Sequence, residues 1–138
     1  MKTILWLDDV RDPLLPQWRK FIRENVEGFD ELSCDIVWVK GVDEFHHRIE
    51  QSITGHLQWP YAICFDHDLG DIITQGAQYC YSDMVERTGY TCAKWLCNFC
   101  TDHHKPLPKY AIQSSNGPGA ENIRCYLENY KKYVENAV

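Results

Sequence analysis

Four short, nearly continuous apolar runs constrain this chain more than any other feature, because each is followed by a stretch whose apolar residues recur at helical spacing. A run of four to six apolar residues with no polar alternation is the pattern of a strand buried on both faces. Thr3 to Leu7 is the first such run, Ile36 to Val39 the second, Pro60 to Phe65 the third and Tyr110 to Gln113 the fourth. Between them, Leu14, Trp18, Phe21, Ile22 and Val26 predict a helix that starts at Asp12-Pro13 and stops near Gly28. Asp43 would cap a second helix with Phe45, Ile49 and Ile53 as its core stripe. Tyr90 to Cys100 reads as a third helix, through Ala93, Trp95, Leu96 and Phe99, closed by Pro106 and Pro108. A last helix carries Ile123, Leu127, Tyr130 and Val134. The segment from Asp71 to Ser82 has no clear period and reads as a long loop placed to act as a lid.

Strands that alternate with helices in this way require right-handed crossovers and a parallel sheet. The expected class is therefore α/β. A small doubly wound sheet of four strands in the order 2-1-3-4, with helices on both faces, places its switch point between the first and third strands. At 138 residues the chain suits one domain spanning residues 1–138. No apolar run approaches the length of a membrane helix, and a formal charge of -6 argues against a broad grip on a nucleic-acid backbone. Seven cysteines, an odd number, in a chain whose N-terminal apolar stretch is too short for a signal peptide, predict free thiols and a cytoplasmic location.

The chemistry is expected where acids follow strands. Asp8-Asp9 follows the first strand, and Asp66-His67-Asp68-Leu69-Gly70 follows the third. The proposed strand order makes these ends neighbours. Carboxylates brought together repel unless a cation neutralises them, and an all-oxygen donor set selects a hard ion, so Asp8, Asp9 and Asp66 are expected to hold one Mg²⁺ (or Mn²⁺). Helix capping competes as an explanation of isolated acids and is preferred for Asp12. Ser114, Ser115 and Asn116, followed by Gly119 at a helix entry, supply hydroxyls, an amide and free N–H groups that suit a phosphate, or else a plain helix cap. Arg11 is placed to hold a phosphate oxygen or to pair with an acid. His67, between two acids, is suited to proton transfer if it faces the site, although alternation along the strand favours its turning away into a structural hydrogen bond.

Three motifs resemble the cyclic-phosphate-processing receiver-like family, divergent relatives of response-regulator receivers found in bacteria and their phages. Leu7-Asp8-Asp9-Val10-Arg11-Asp12-Pro13 is similar to that family's LDDxRxP, Phe65-Asp66-His67-Asp68-Leu69-Gly70 to its FDHDLG, and Ser114-Ser115-Asn116 with Gly119 to its final turn. Thr88-Gly89-Tyr90 and Trp95-Leu96 resemble the family's helix after the loop. The resemblance implies that Asp8 and Asp9 match the receiver acidic pair and Asp66 the phosphoryl-accepting aspartate. It also implies a metal-dependent phosphoesterase acting on nucleotide or RNA-terminal cyclic phosphates. Asp68 would be its base or nucleophile, with Ser114, Ser115, Asn116 and the Gly119 backbone against the phosphate. Gln113, expected with Arg11 and the turn against the substrate, stands where the family usually has histidine; glutamine can orient a water or donate to an oxyanion but cannot transfer a proton, so catalysis would lean on metal-bound water or His67. There is no counterpart of the receiver's fifth strand or lysine, which argues against phosphorelay signalling.

Two rival readings remain open from the sequence. One is a non-catalytic receiver-like module that binds metal and a phosphate-bearing ligand or a protein partner. The other is a haloacid-dehalogenase-like phosphatase built on Asp66-x-Asp68. Cys97, Cys100, His103 and His104 superficially suggest zinc, but they share one helix, and thiols there are expected to serve as small core residues. His46-His47 is expected to be a solvated surface pair.

Overall fold

The computed structural model describes residues 1–74 and 84–137. Four parallel strands form the main sheet: β1 (Lys2–Leu7), β2 (Cys34–Val39), β3 (Ala62–Phe65) and, after a two-stranded hairpin, β6 (Lys109–Ile112). Their spatial order is β2-β1-β3-β6, the arrangement expected from the sequence. Register pairs Leu7 with Val39 on one side and with Phe65 on the other, and Phe65 with Ile112. All three strand-ending apolar residues of β1, β2 and β3 therefore finish level with one another.

Alternate residues of each strand enter different cores, which is why the strands read as unbroken apolar runs. Leu5, Leu7, Ile63 and Phe65 face α2 (Val42–Ile53), α3 (Gly89–His103) and α4 (Gly117–Asn136). Ile4, Trp6 and Cys64 face α1 (Pro16–Asn25), through Ile22 and Val26 with Trp18 and Phe21 beside them. Among the described residues, helices thus cover both faces, three on one and one on the other. Cys92, Cys97 and Cys100 are free thiols inside the larger core, where burial pushes each thiol pKa upward. They fill space there, as expected of cysteine on a single helix face.

Several local expectations are corrected. Asp12 does not open α1; its carboxylate accepts from the Leu14 amide at 2.9 Å and its carbonyl from the Leu15 amide, making a turn that delays the helix to Pro16. Leu14 consequently lies exposed outside the helical stripe. The helix stops at Asn25, and Gly28 sits in the next turn with φ +83°. Asp43 does not cap α2; that end is finished by Asp71, whose Oδ2 accepts from the Val42 amide at 3.0 Å. Ile53 and Val134 lie near helix ends and are exposed rather than core.

The largest correction concerns the expected loop after β3. Asp71–Thr74 is a strand, β4, paired antiparallel with β5, Met84–Arg87, so a hairpin replaces it; residues 75–83, including most of the expected lid, lie outside the described residues. Arg87 anchors the base of this hairpin: it donates to Asp71 Oδ1 at 2.8 Å and, through its other nitrogen, to Asp43 Oδ1 on α2 at 3.0 Å. His46 departs from the solvated-pair expectation as well. It is half-buried and stacked on Trp95 with ring centroids 4.0 Å apart, whereas His47 is exposed. Among the described residues, no helix is long and apolar enough to cross a membrane.

Candidate metal and phosphate site

The sheet ladder continues one residue past the ends of the strands. The Asp8 amide donates to Val39, the Asp66 amide to Leu7 and the Gln113 amide to Phe65, at 3.1, 2.9 and 3.0 Å. Asp8, Asp66 and Gln113 therefore stand side by side at the carboxyl end of the sheet, and Asp9 follows Asp8. One carboxylate oxygen from each of Asp8, Asp9 and Asp66 lies within 4.8 Å of the other two. Asp8 is wholly buried and Asp66 nearly so, while Asp9 is partly open. Among the described residues, no other cluster of three histidine, cysteine or acidic side chains converges in this way.

Local hydrogen bonds fix the two buried acids. Asp8 Oδ1 accepts from the amides of Val10 and Arg11 at 3.0 and 2.9 Å, folding the loop back over its own carboxylate. Two tryptophans pin that loop: Trp38 Nε1 donates to the Asp8 carbonyl at 2.7 Å and Trp6 Nε1 to the Arg11 carbonyl at 2.9 Å. Asp66 Oδ1 accepts from the His67 amide at 2.9 Å. The remaining oxygens are bridged by one guanidinium. Arg11 Nη1 lies 3.2 Å from Asp8 Oδ2 and 3.4 Å from Asp66 Oδ2, and its Nη2 donates to Ser115 Oγ at 3.2 Å.

Burial and then the Asp8 charge hold the Asp66 carboxyl up at about 6, against the opposing pull of Arg11, the His67 amide and the Ser114 hydroxyl. A raised carboxyl binds its proton more tightly in the folded chain than in the unfolded one, so its stabilising contribution is complete below about pH 4 and is lost as pH rises through about 6. In metal-free buffer, urea unfolding of the wild type should lose on the order of 2 kcal/mol more over that interval than Asp66→Asn does. Equal pH slopes for the two proteins would contradict this assignment.

His67 does not join the acidic trio; its ring packs against the start of α4 at Gly119. Its Nδ1 lies 2.7 Å from Asp68 Oδ1, and the Asn116 side-chain amide sits 3.3 Å from Nδ1 and 3.2 Å from Asp68 Oδ1. Asp68 is therefore outside the acidic trio, half open to solvent, its pKa lowered first by His67 and then by Asn116. Asn116 also caps α4, its Oδ1 accepting from the Gly119 amide at 2.9 Å. A Cβ at position 119 would lie 2.4 Å from His67 Cγ, so only glycine lets the imidazole lie against the start of the helix. Ser114 Oγ accepts from the Asn116 amide at 3.1 Å, and Ser115 is exposed beside Arg11.

Gln113, expected against the substrate, faces inward instead. It is buried, with Nε2 donating to the carbonyls of Leu7 and Cys64 at 3.0 and 3.4 Å, while its Oε1 is buried without a partner. The amide thus ties three strand ends together beneath the acids. One contributor is not singled out for the site by the sequence: Gly89, at the start of α3, whose amide donates to the His67 carbonyl at 2.8 Å. The signal for it is present in Thr88-Gly89-Tyr90, because Thr88 and Thr91 form a reciprocal capping box that fixes the helix start there.

A doubly wound sheet with buried acids at the ends of its first and third strands is a receiver-type arrangement, with the acids at the topological switch point. The comparison with known families makes this specific: the chain belongs to the cyclic-phosphate processing receiver domain family, whose model matches residues 3–129. No curated protein and no solved structure gave a significant match.

The donor set fits a hard divalent cation. Three convergent carboxylate oxygens could supply the anionic oxygen ligands that Mg²⁺ and Mn²⁺ prefer.

Proposed function

We propose that this chain is a phosphoesterase dependent on Mg²⁺ or Mn²⁺ that acts on nucleotide or RNA-terminal cyclic phosphates. The observation that carries the reading is the convergence of Asp8, Asp9 and Asp66 next to Arg11 and the Ser114–Gly119 turn, in a family associated with cyclic-phosphate processing. Asp8, Asp9 and Asp66 would hold the ion, which when bound supplies Lewis-acid charge and a more acidic water. Arg11, Ser114 and Ser115 would hold the phosphate oxygens. A guanidinium and hydroxyl donors gathered around a phosphate favour a transition state in which charge builds on its oxygens.

Hydrolysis of a cyclic ester joins a water oxygen to phosphorus and breaks one bond from phosphorus to a ribose oxygen. That departing oxygen must gain a proton. The His67–Asp68 pair is the proton-transfer group beside the turn, held by Asn116 and by the close approach of Gly119. Asn116 and Gly119 would then serve mainly by placing that pair. Gln113 would keep the strand ends in register through its Nε2 bonds to the Leu7 and Cys64 carbonyls.

One observation favours a second reading, a module that binds metal and a phosphate-bearing ligand without turnover: Gln113 occupies the place of the family histidine and its amide is committed to main-chain carbonyls. The dehalogenase-like reading gains no such support, since Asp68 lies against His67 and Asn116 rather than beside Asp66.

Incubation with Mg²⁺ or Mn²⁺ and a panel of cyclic and linear phosphate esters separates these readings. Metal-dependent opening of a cyclic ester is expected, reduced by about a hundredfold or more in Asp66→Asn. Metal binding with no turnover dependent on Asp66 would instead identify the binding module.

A further inference from the structure

We propose that Arg11 is the resident counter-ion of the unloaded site, and that a divalent cation must displace it from the same two carboxylate oxygens, which frees its guanidinium for an incoming anion. The inference rests on reading the acidic trio as the cation site. It follows from which oxygens are free. Asp8 Oδ1 is saturated by two backbone amides and Asp66 Oδ1 is taken by the His67 amide. Among the described residues Asp8 Oδ2 and Asp66 Oδ2 receive no backbone amide, so they are the oxygens of these two acids most open to a cation, and Arg11 Nη1 lies against both. A cation shared by the two acids and the guanidinium therefore compete for one place.

The charges make this competition productive. Three carboxylates and one guanidinium leave a net charge of about −2, so the pocket still attracts a divalent ion although Arg11 has reduced the repulsion between two buried acids. The displaced group has somewhere to go. Its Nη2 is already on Ser115 Oγ in the turn that would hold a phosphate, and its carbon lies 5.4 Å from the centre of the Trp18 ring, a platform on which the guanidinium can pivot. Cation and anion should accordingly bind cooperatively, the first releasing the arginine that the second needs.

The test is calorimetric titration of Mn²⁺ into the wild type and Arg11→Met, which keeps an unbranched apolar side chain next to Trp18, each with and without inorganic phosphate and corrected for Mn²⁺ bound by free phosphate. Without phosphate, Arg11→Met should bind Mn²⁺ about tenfold more tightly or better, and phosphate should strengthen Mn²⁺ binding in the wild type but not in the variant. Equal Mn²⁺ affinities, or a phosphate effect that survives in the variant, would overturn the role of Arg11 while leaving the cation site standing. Failure of both proteins to bind Mn²⁺ would remove the site and the inference together. Thermal unfolding checks that Arg11→Met is folded. If it is not, Arg11→Lys takes its place: an ammonium, which lacks the bridging fork, should give a smaller phosphate effect than the wild type, and an undiminished effect would overturn the proposal.

Discussion

Gly89→Ala should lower stability by about 3 to 5 kcal/mol, which for a domain of this size shifts the unfolding midpoint downward by roughly 10 °C or more. A Cβ at residue 89 would fall 1.8 Å from the carbonyl oxygen of Asp66 and 2.8 Å from its carbonyl carbon. Both are main-chain atoms at the end of a central strand, so no side-chain rotation relieves the clash. The helix must move instead, and the hydrogen bond from the Gly89 amide to the His67 carbonyl is lost with it. Since the displaced strand end carries Asp66, any folded fraction should also bind Mn²⁺ more weakly. Differential scanning calorimetry and metal titration check the two effects, and a variant within about 1 kcal/mol of the wild type would refute this account of the contact between α3 and β3.

Removal of the Asp8 carboxylate should rank second, with a difference between two variants as its signature. Asp8→Ala strands the Val10 and Arg11 amides and leaves the Arg11 guanidinium with one acid fewer, at a cost of about 3 to 5 kcal/mol. Asp8→Asn keeps an oxygen for the two amides and removes a negative charge whose proximity raises the Asp66 carboxyl. It should therefore lose less than half as much stability in metal-free buffer, yet lose Mn²⁺ binding as completely as alanine does. Denaturant titration in chelator, set beside calorimetry with Mn²⁺, reads both quantities. Equal destabilisation by the two substitutions would mean that the loop does not depend on Oδ1 as an acceptor.

The acidic trio is legible in the amino-acid sequence because its placement depends on strand order alone. Buried strands announce themselves as apolar runs, and an α/β alternation of this length admits few topologies, so Asp8 and Asp66 have to meet. The hairpin is not legible there, for a different reason. Its base is held by Arg87 reaching Asp43 on α2 and Asp71 on β4, an ion cluster assembled from three separated segments, which leaves no local period to read. The start of α2 fails to show in the same way, since its cap comes from a residue 29 positions downstream. His46 belongs to this group as well: its stacking on Trp95 depends on α3 packing beside α2, whereas spacing alone gives two adjacent histidines. The direction of Gln113 requires the register of three strands, because its amide spans the carbonyls of two neighbours.

That distant cap has a consequence for the order in which the molecule assembles. Helix α2 can wind its later turns from local contacts, but its first amide finds an acceptor only after β4 has docked beside it. The entry to the second crossover is thus completed by a segment synthesised after the third strand, so that helix is finished only once the chain beyond Asp66 has folded back onto it.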